Sequence, residues 1–172
     1  MKSVVLEEAE AILWSLRGVW DEDAVDDLDH ALQSAHLAQA DGADDELILA
    51  AALHDLGHSP LLTPRPDHDR VARLWLTPRF GERVGWLAGA HVAAKRHLAL
   101  TESGYLDALS DRSVDTLSAQ GGQARVGSQW TSNPWWPDAL RLRRFDDAAK
   151  IPGAAAMTVA EVLDVAGRVV AA

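Results

Sequence analysis

Apolar residues recur along this chain with the spacing of helices, and no segment alternates as a half-buried strand would. The longest uninterrupted aliphatic run covers residues 47–53, inside the segment ELILAAALHDLGH, which is apolar on nearly every side. Such a helix is normally buried by its neighbours, so we place it at the centre of the molecule. The pattern predicts an all-α helical bundle that forms a single domain over residues 1–172.

Breaks in the apolar pattern divide the rest of the chain into further helices. Gly42 ends the helix before the central one, and Ser59-Pro60 ends the central helix itself. Thr158 and Glu161 form a capping box that begins the last helix. The other predicted helices cover residues 3–18, 24–40, 68–76, 81–98, two short stretches within 102–119, a segment from Pro134–Pro137 to about 150, and a C-terminal segment over 158–171.

Composition and charge narrow the classes of function. The 172 residues carry a formal net charge of −10 and include no cysteine, which excludes disulfides, thiolate metal sites, cysteine nucleophiles and iron–sulfur clusters. An acidic chain repels phosphate backbones, so we expect no nucleic-acid partner. The start MKSVVLEEAE has acidic residues where a signal peptide needs an apolar run, and the run 47–53 is too short to span a bilayer. We therefore expect a cytoplasmic protein with no membrane association.

Candidate chemistry begins with His54 and Asp55, which lie within the most apolar helix of the chain. Burying two adjacent ionisable side chains is costly unless a partner compensates them, and a metal ion is one such partner. A His-Asp pair also arises often by chance, so the pair alone does not exclude the alternative that His54 is an ordinary core histidine. Its apolar helical setting favours the metal site.

Other polar residues lie in similar helices. His30 lies within DDLDHALQSA, where the alternative is a half-buried histidine beside a solvated acidic face. His58 and Lys95 each follow a histidine by four residues, at His54 and His91, and so share a helix face with it. For Lys95 the spacing alone favours a solvent-facing lysine, whereas a metal site with an anionic substrate would favour an inward one.

Two further candidates have simple structural alternatives. His68 follows a proline-rich loop and could be an ordinary residue at a helix N-terminus. Asp146 and Asp147 lie in RLRRFDDAAK, where the alternative is a surface salt bridge with Arg143 or Arg144.

The order His30, His54-Asp55 and Asp146, in the strings LDHALQSAHLA, ALHDLGH and RFDDAAK, resembles the HD-domain superfamily. Most members of that superfamily are metal-dependent phosphohydrolases with an all-α fold. A narrower set of strings within residues 20–150 resembles the phosphonate-degrading HD-domain oxygenases, relatives of inositol oxygenase with a mixed-valent di-iron site. These strings are HALQSA, ALHDLGH, AHVAAKRHL, LSDRSVDTLSAQGG and LRLRRFDDAAK.

The resemblance implies two iron ions, one Fe(II) and one Fe(III), and dioxygen as co-substrate. The implied metal ligands are His30, His54, Asp55 and Asp146 for one iron, and Asp55, His68 and His91 for the other, with Asp55 bridging. Asp146 is preferred to Asp147 because it directly follows the aromatic residue. The resemblance also implies that Lys95 and Ser113 hold a phosphonate, with His58 assisting. The implied reaction removes a substrate C–H hydrogen and then cleaves or oxidises an organophosphonate.

The loop GVWDEDAVDD departs from the oxygenases that the chain resembles. Those enzymes carry a tyrosine that can coordinate an iron, and Trp20 lies at about the position of that tyrosine. Indole has no lone pair for iron, but it can supply an apolar wall or a cation–π face. Asp23 or Glu22 can still pair with a substrate amine. Trp20 and Asp23 are therefore expected to bind substrate, and a tryptophan-lined pocket would suit a quaternary ammonium group.

Three hypotheses about function follow from the sequence. The first is a di-iron oxygenase acting on a small organophosphonate, and the second is a metal-dependent HD phosphohydrolase acting on a small phosphate ester. The third is a degenerate HD module that binds a ligand or a partner. The first two share a net positive site for a small anionic substrate, and a mononuclear hydrolase would not need His68 and His91.

Overall fold

A computed structural model describes residues 3–172, so the first two residues of the predicted domain lie outside the described part. The described residues form helices and no strand, which confirms the predicted all-α class. The helices are α1 (Val4–Ser15), α2 (Asp27–Ala40), α3 (Asp45–Leu53), α4 (His68–Phe80), α5 (Glu82–Thr101), α6 (Tyr105–Ala108), α7 (Asp111–Ala119), α8 (Ser128–Thr131), α9 (Trp136–Ala148) and α10 (Val159–Ala171).

Helix α3 lies at the centre of the fold, as its apolar pattern predicts. Every residue from Leu47 to Leu53 is buried, and α2, α5, α9 and α10 all pack against this helix. Asp44 caps its N-terminus by accepting a hydrogen bond from the backbone N–H of Leu47 at 2.9 Å. The central helix is thus enclosed by helices α2, α5, α9 and α10.

The central helix ends earlier than the sequence predicts. α3 stops at Leu53, and after His54 and Asp55 a single 3₁₀ turn covers Leu56–His58. A Cβ atom built on Gly57 would lie 2.6 Å from the carbonyl oxygen of His68, so this turn packs directly on the first residue of α4. His54 and Asp55 therefore lie at the end of the helix, where the chain turns, and not in its middle as predicted.

Helices α4 and α5 form a closely packed pair. Gly81 joins them with φ of +96°, a conformation that favours glycine. Along α5, a Cβ atom on Gly85 would clash with Oγ1 of Thr77, and one on Gly89 would lie 3.0 Å from the Cβ of Arg73. These glycines let the two helix backbones approach each other. The close approach places the start of α4 beside the middle of α5.

The remaining elements follow the predicted breaks with shifted ends. The two short helices predicted within residues 102–119 are α6 and α7, and α4 continues four residues beyond its predicted end, through Pro78 to Phe80. The capping box at the start of α10 is present, because Thr158 and Glu161 exchange side-chain and backbone hydrogen bonds. Within residues 3–172, none of the helices has both the length and the apolar character needed to cross a membrane.

Candidate active site

The first group of polar side chains gathers around the end of α3. The potential ligand atoms of His30, His54, Asp55 and Asp146 all lie within 4.8 Å of one another. Nε2 of His30 lies 3.5 Å from Oδ2 of Asp55 and 3.4 Å from Oδ1 of Asp146. Nε2 of His54 lies 3.2 Å from Oδ2 of Asp55 and 3.5 Å from Oδ2 of Asp146. Helices α2 and α9, together with the two residues that follow α3, thus direct four side chains to one point.

A second group shares Asp55 with the first. The potential ligand atoms of Asp55, His68 and His91 lie within 4.8 Å of one another. Oδ1 of Asp55 lies 3.3 Å from Nε2 of His68 and 3.4 Å from Nε2 of His91. Because Oδ2 of the same carboxylate faces the first group, Asp55 has the geometry of a bridge between two neighbouring metal positions.

Backbone carbonyl oxygens orient three of the imidazole rings. Nδ1 of His54 lies 2.8 Å from the carbonyl oxygen of Ala51, and Nδ1 of His91 lies 2.6 Å from that of Ala88. Nδ1 of His30 lies 2.9 Å from the carbonyl oxygen of Ala149. A carbonyl oxygen only accepts hydrogen bonds, so each Nδ1 carries a proton and each Nε2 is the atom directed at the neighbouring ligand groups.

The donor set fits metal ions. Nε2 of His30 lies 3.3 Å from Nε2 of His54, and Nε2 of His68 lies 3.0 Å from Nε2 of His91. Two imidazole nitrogens that face each other at these distances need a proton or a metal cation between or beside them. Imidazole nitrogens combined with carboxylate oxygens suit first-row transition metals such as iron. The arrangement can therefore hold two metal ions that share Asp55.

The electrostatics of the first group also favour a cation. Burial disfavours the charged form of His30, but the carboxylates of Asp146 and Asp55 outweigh it and raise the pKa of His30 to about 9. Burial likewise disfavours ionised Asp146, yet Arg143 and His54 hold its pKa well below its usual range. The carboxylates thus stay ionised inside the protein and stabilise positive charge near the rings.

A small cavity of about 30 Å³ opens beside both groups, and basic side chains line it. Lys95 is one of them: it is only 3% exposed, so the solvent-facing orientation that its spacing alone favoured is wrong. Its Nζ donates a hydrogen bond to Oγ1 of Thr116 at 3.0 Å. Burial lowers the pKa of Lys95 to about 8, and repulsion from Arg143 acts in the same direction.

Arg143 is a lining residue that sequence reasoning placed at the surface. It is buried, and it donates hydrogen bonds to Oδ2 of Asp146 at 2.6 Å, to Asp147, and to the hydroxyl of Tyr105 at 3.1 Å. The Tyr105 hydroxyl in turn donates to Asp147 at 2.6 Å. The expected surface salt bridge is therefore a buried network. Its sequence signal was present in the three-residue spacing between Arg143 and Asp146.

Two further residues line the cavity. Ser113 is buried there as expected, and its Oγ accepts a hydrogen bond from Nζ of Lys150 at 2.7 Å. Lys150 follows Asp146 by four residues, a spacing that could have identified it but did not. The full lining consists of Asp21, Glu22, Asp55, His68, His91, Lys95, Ser113, Thr116, Gln120, Arg143, Asp146 and Lys150.

Three residues expected to bind substrate lie outside this lining. Trp20 is 63% exposed and lines a separate surface depression, and Asp23 is exposed. His58 lies nearer: its Nδ1 is 2.8 Å from Oδ2 of Asp27, and its ring centroid is 4.5 Å from that of His68. The loop after α1 turns Asp21 and Glu22 toward the cavity instead, which leaves Trp20 and Asp23 on the solvent side.

No protein-family model matches the chain. The chain is 37% identical over 144 residues to a hydroxymethylphosphonate dioxygenase from Gimesia maris, a match covering 77% of this chain and 71% of that protein. It is 32% identical over 132 residues to a 1-hydroxy-2-(trimethylamino)ethylphosphonate dioxygenase (glycine-betaine-forming) from Leisingera caerulea, covering 71% and 67%. An uncharacterised protein of Acanthamoeba polyphaga mimivirus is 32% identical over 138 residues, covering 72% and 62%.

Two of these relatives are named as phosphonate dioxygenases, and each matches more than two thirds of both chains. Their names confirm the resemblance drawn from the sequence strings and favour an oxygenase over the phosphohydrolase alternative. A dioxygenase uses dioxygen, and the two groups of histidine and aspartate provide a place for a metal. The chain is an oxygenase and belongs to the family of phosphonate dioxygenases.

Proposed function

We propose that this protein is an HD-type di-iron oxygenase that uses dioxygen to cleave the carbon–phosphorus bond of a small 1-hydroxyphosphonate. The observation that carries the proposal is the pair of ligand groups joined through the two oxygens of Asp55. In this proposal His30, His54, Asp55 and Asp146 hold one iron, and Asp55, His68 and His91 hold the other. The pair would be mixed-valent, Fe(II) and Fe(III).

The stoichiometry follows from the substrates in the relatives' names. A 1-hydroxyphosphonate, R–CH(OH)–PO₃H₂, and one dioxygen contain the atoms of one carboxylic acid, R–COOH, and one phosphoric acid. The C–P bond, the C–H bond and the O–O bond break, and one oxygen atom joins carbon while the other joins phosphorus. The carbon is oxidised and dioxygen is reduced, so no further reductant is needed. For hydroxymethylphosphonate the products would be formate and phosphate.

The protein's own side chains would bind and orient the substrate. Lys95 and Arg143 would attract the phosphonate dianion, and the buried Ser113 would add a hydroxyl group. Several side chains of the cavity wall, among them His91, Lys95 and Arg143, are buried, and this wall would limit the water that reaches the reacting carbon. When bound, iron would supply the redox chemistry that activates dioxygen.

Protein purified without chelators tests this proposal. We expect about two irons per chain, an electron paramagnetic resonance signal of a mixed-valent pair, and equal amounts of dioxygen consumed and phosphate released from hydroxymethylphosphonate. A phosphate monoester such as methyl phosphate serves as the control substrate. Phosphate release from the monoester without dioxygen, and none from the phosphonate, would support the hydrolase alternative instead.

A further inference from the structure

We propose that Lys150 fills the position of a substrate ammonium group, so that the enzyme selects 1-hydroxyphosphonates without a cationic substituent. This inference rests on the proposed function and names the substrate class of the same site. It separates two kinds of substrate: hydroxymethylphosphonate, which is uncharged beyond its phosphonate, and phosphonates that carry an amino or trimethylamino group.

The first observation is the ion pair between Lys150 and Glu22. Nζ of Lys150 lies 2.8 Å from Oε1 of Glu22, and their side chains are only 11% and 12% exposed. The other oxygen, Oε2, accepts a hydrogen bond from Oγ of Ser110 at 3.1 Å. Oγ of Ser113 also donates to Oε1 at 3.4 Å. Both carboxylate oxygens of Glu22 are therefore already engaged by the protein.

The second observation is that the other loop carboxylate in the cavity wall is engaged too. Oδ1 of Asp21 lies 3.0 Å from a guanidinium nitrogen of Arg112, whose Nε also donates to the Asp21 carbonyl oxygen. The remaining carboxylates in the lining, Asp55 and Asp146, belong to the candidate metal groups. Among the described residues that line the cavity, no carboxylate outside those groups lacks a basic partner.

The basic residues of the lining include one that has no carboxylate partner. Arg143 pairs with Asp146 and Asp147, and Lys150 pairs with Glu22. Within residues 3–172, Lys95 has a hydroxyl partner, Thr116, but no carboxylate within ion-pair distance. The cavity thus offers a cation that is free to pair with a phosphonate, and it offers no carboxylate that is free to pair with an ammonium group.

A substrate ammonium would meet further obstacles. To reach Glu22 it would have to displace Lys150, which would then keep only the more distant carboxylate of Asp146, 3.9 Å away, in a largely buried position. No tryptophan, tyrosine or phenylalanine is among the described residues of the lining, so a cation–π contact is absent there. The proposal therefore differs from the expectation that Glu22 pairs with a substrate amine and that Trp20 favours a cationic substrate. Selectivity against a cationic substrate here comes from the positive charge of Lys150, which occupies the place beside Glu22.

The test uses two substrates of matched size on the iron-loaded enzyme: 1-hydroxypropylphosphonate and 1-hydroxy-2-aminoethylphosphonate. They differ in a methyl group against an ammonium group, so the ratio of their kcat/KM values reports charge and not volume. We expect the wild type to favour the uncharged substrate by about 100-fold. In Lys150→Met, Glu22 is left without its lysine, and the ratio should fall by about 10-fold or more.

Two control variants separate charge from folding. Lys150→Arg keeps the cation and should keep the selectivity. The double variant Lys150→Met with Glu22→Gln removes the carboxylate as well. Its kcat/KM for the amino substrate should therefore not increase relative to the uncharged substrate, as it does in the single variant. Because each comparison is a ratio within one protein, a general loss of activity does not affect it.

Binding of the corresponding phosphonates without the hydroxyl group, propylphosphonate and 2-aminoethylphosphonate, gives a readout that needs no turnover. Calorimetry on the holoenzyme should show the same preference and the same loss of it in Lys150→Met. Equal affinity of the wild type for both, or an unchanged ratio in Lys150→Met, would overturn the inference. If no phosphonate is consumed although both bind with the expected preference, the proposed reaction fails and the selectivity stands.

Discussion

Nε2 of His30 lies 3.3 Å from Nε2 of His54, while Nδ1 of each ring is held by a backbone carbonyl oxygen. Such an arrangement directs the Nε2 atoms of both rings at each other and away from the backbone. Nε2 of His68 and Nε2 of His91 also face each other, at 3.0 Å. The histidines of the two candidate groups thus meet in two pairs inside the bundle.

The first prediction concerns metal removal. A chelated, metal-free protein should unfold at a temperature about 5–10 °C lower than the metal-loaded protein, because metals that bind only the folded state stabilise it by mass action. Differential scanning fluorimetry with chelator, then with added Fe(II), measures the shift. His36→Gln, which changes a histidine outside both groups, serves as control and should show the same shift. Identical unfolding temperatures with and without metal would contradict the two-group interpretation.

The second prediction separates the two metal positions. His91→Ala removes a donor from the second group only, so iron content should fall from about two to about one per chain. Asp55→Ala removes the residue that both groups share and should lower the content further. Plasma emission spectroscopy on purified variants gives the stoichiometry. An unchanged iron content in His91→Ala would show that this histidine is not a ligand.

The third prediction concerns pH. Because burial lowers the pKa of Lys95 to about 8, the ammonium is present below that pH and is lost above it. A phosphonate held by Lys95 should therefore bind more weakly as the pH rises through 8, and its Michaelis constant should increase. Lys95→Arg keeps its charge over this range and should show a flatter profile. A wild-type Michaelis constant that does not change between neutral and mildly alkaline pH would mean that another group holds the anion.

The fourth prediction concerns Trp20. Its side chain is 63% exposed and lines a depression separate from the cavity. Trp20→Ala should accordingly change the Michaelis constant by less than about 2-fold and stability by less than about 0.5 kcal/mol. Steady-state kinetics and thermal unfolding measure both. A weakening of apparent substrate binding by about 10-fold or more would show instead that the loop closes over bound substrate.

Local patterns explain which features could be predicted from the sequence. The apolar run before His54 and Asp55 was sufficient to place α3 at the centre, because a segment without a polar face has no other stable position. The same pattern could not show that the helix ends at Leu53, since the end depends on the close approach of Gly57 to His68, which lies in another helix.

The electrostatic partners in the cavity were harder to predict. Lys150 and Glu22 are far apart in the chain, and nothing in either segment indicates that their side chains meet at 2.8 Å. Arg143 had the spacing of a surface salt bridge, and only the packing of α9 against α5 shows that it is buried. Helical periodicity shows which residues lie on the same side of a helix. How deeply those residues are buried depends on the other helices that pack against them.

Gly57 provides no ligand atom, yet it affects the spacing of two residues that do. Because a Cβ atom there would lie 2.6 Å from the carbonyl oxygen of His68, the turn that follows Asp55 touches the main chain of His68. Contact between the two backbones therefore holds Asp55 and His68 close together within the second group. A hydrogen atom, in the place of a side chain, is what lets these two segments come this near.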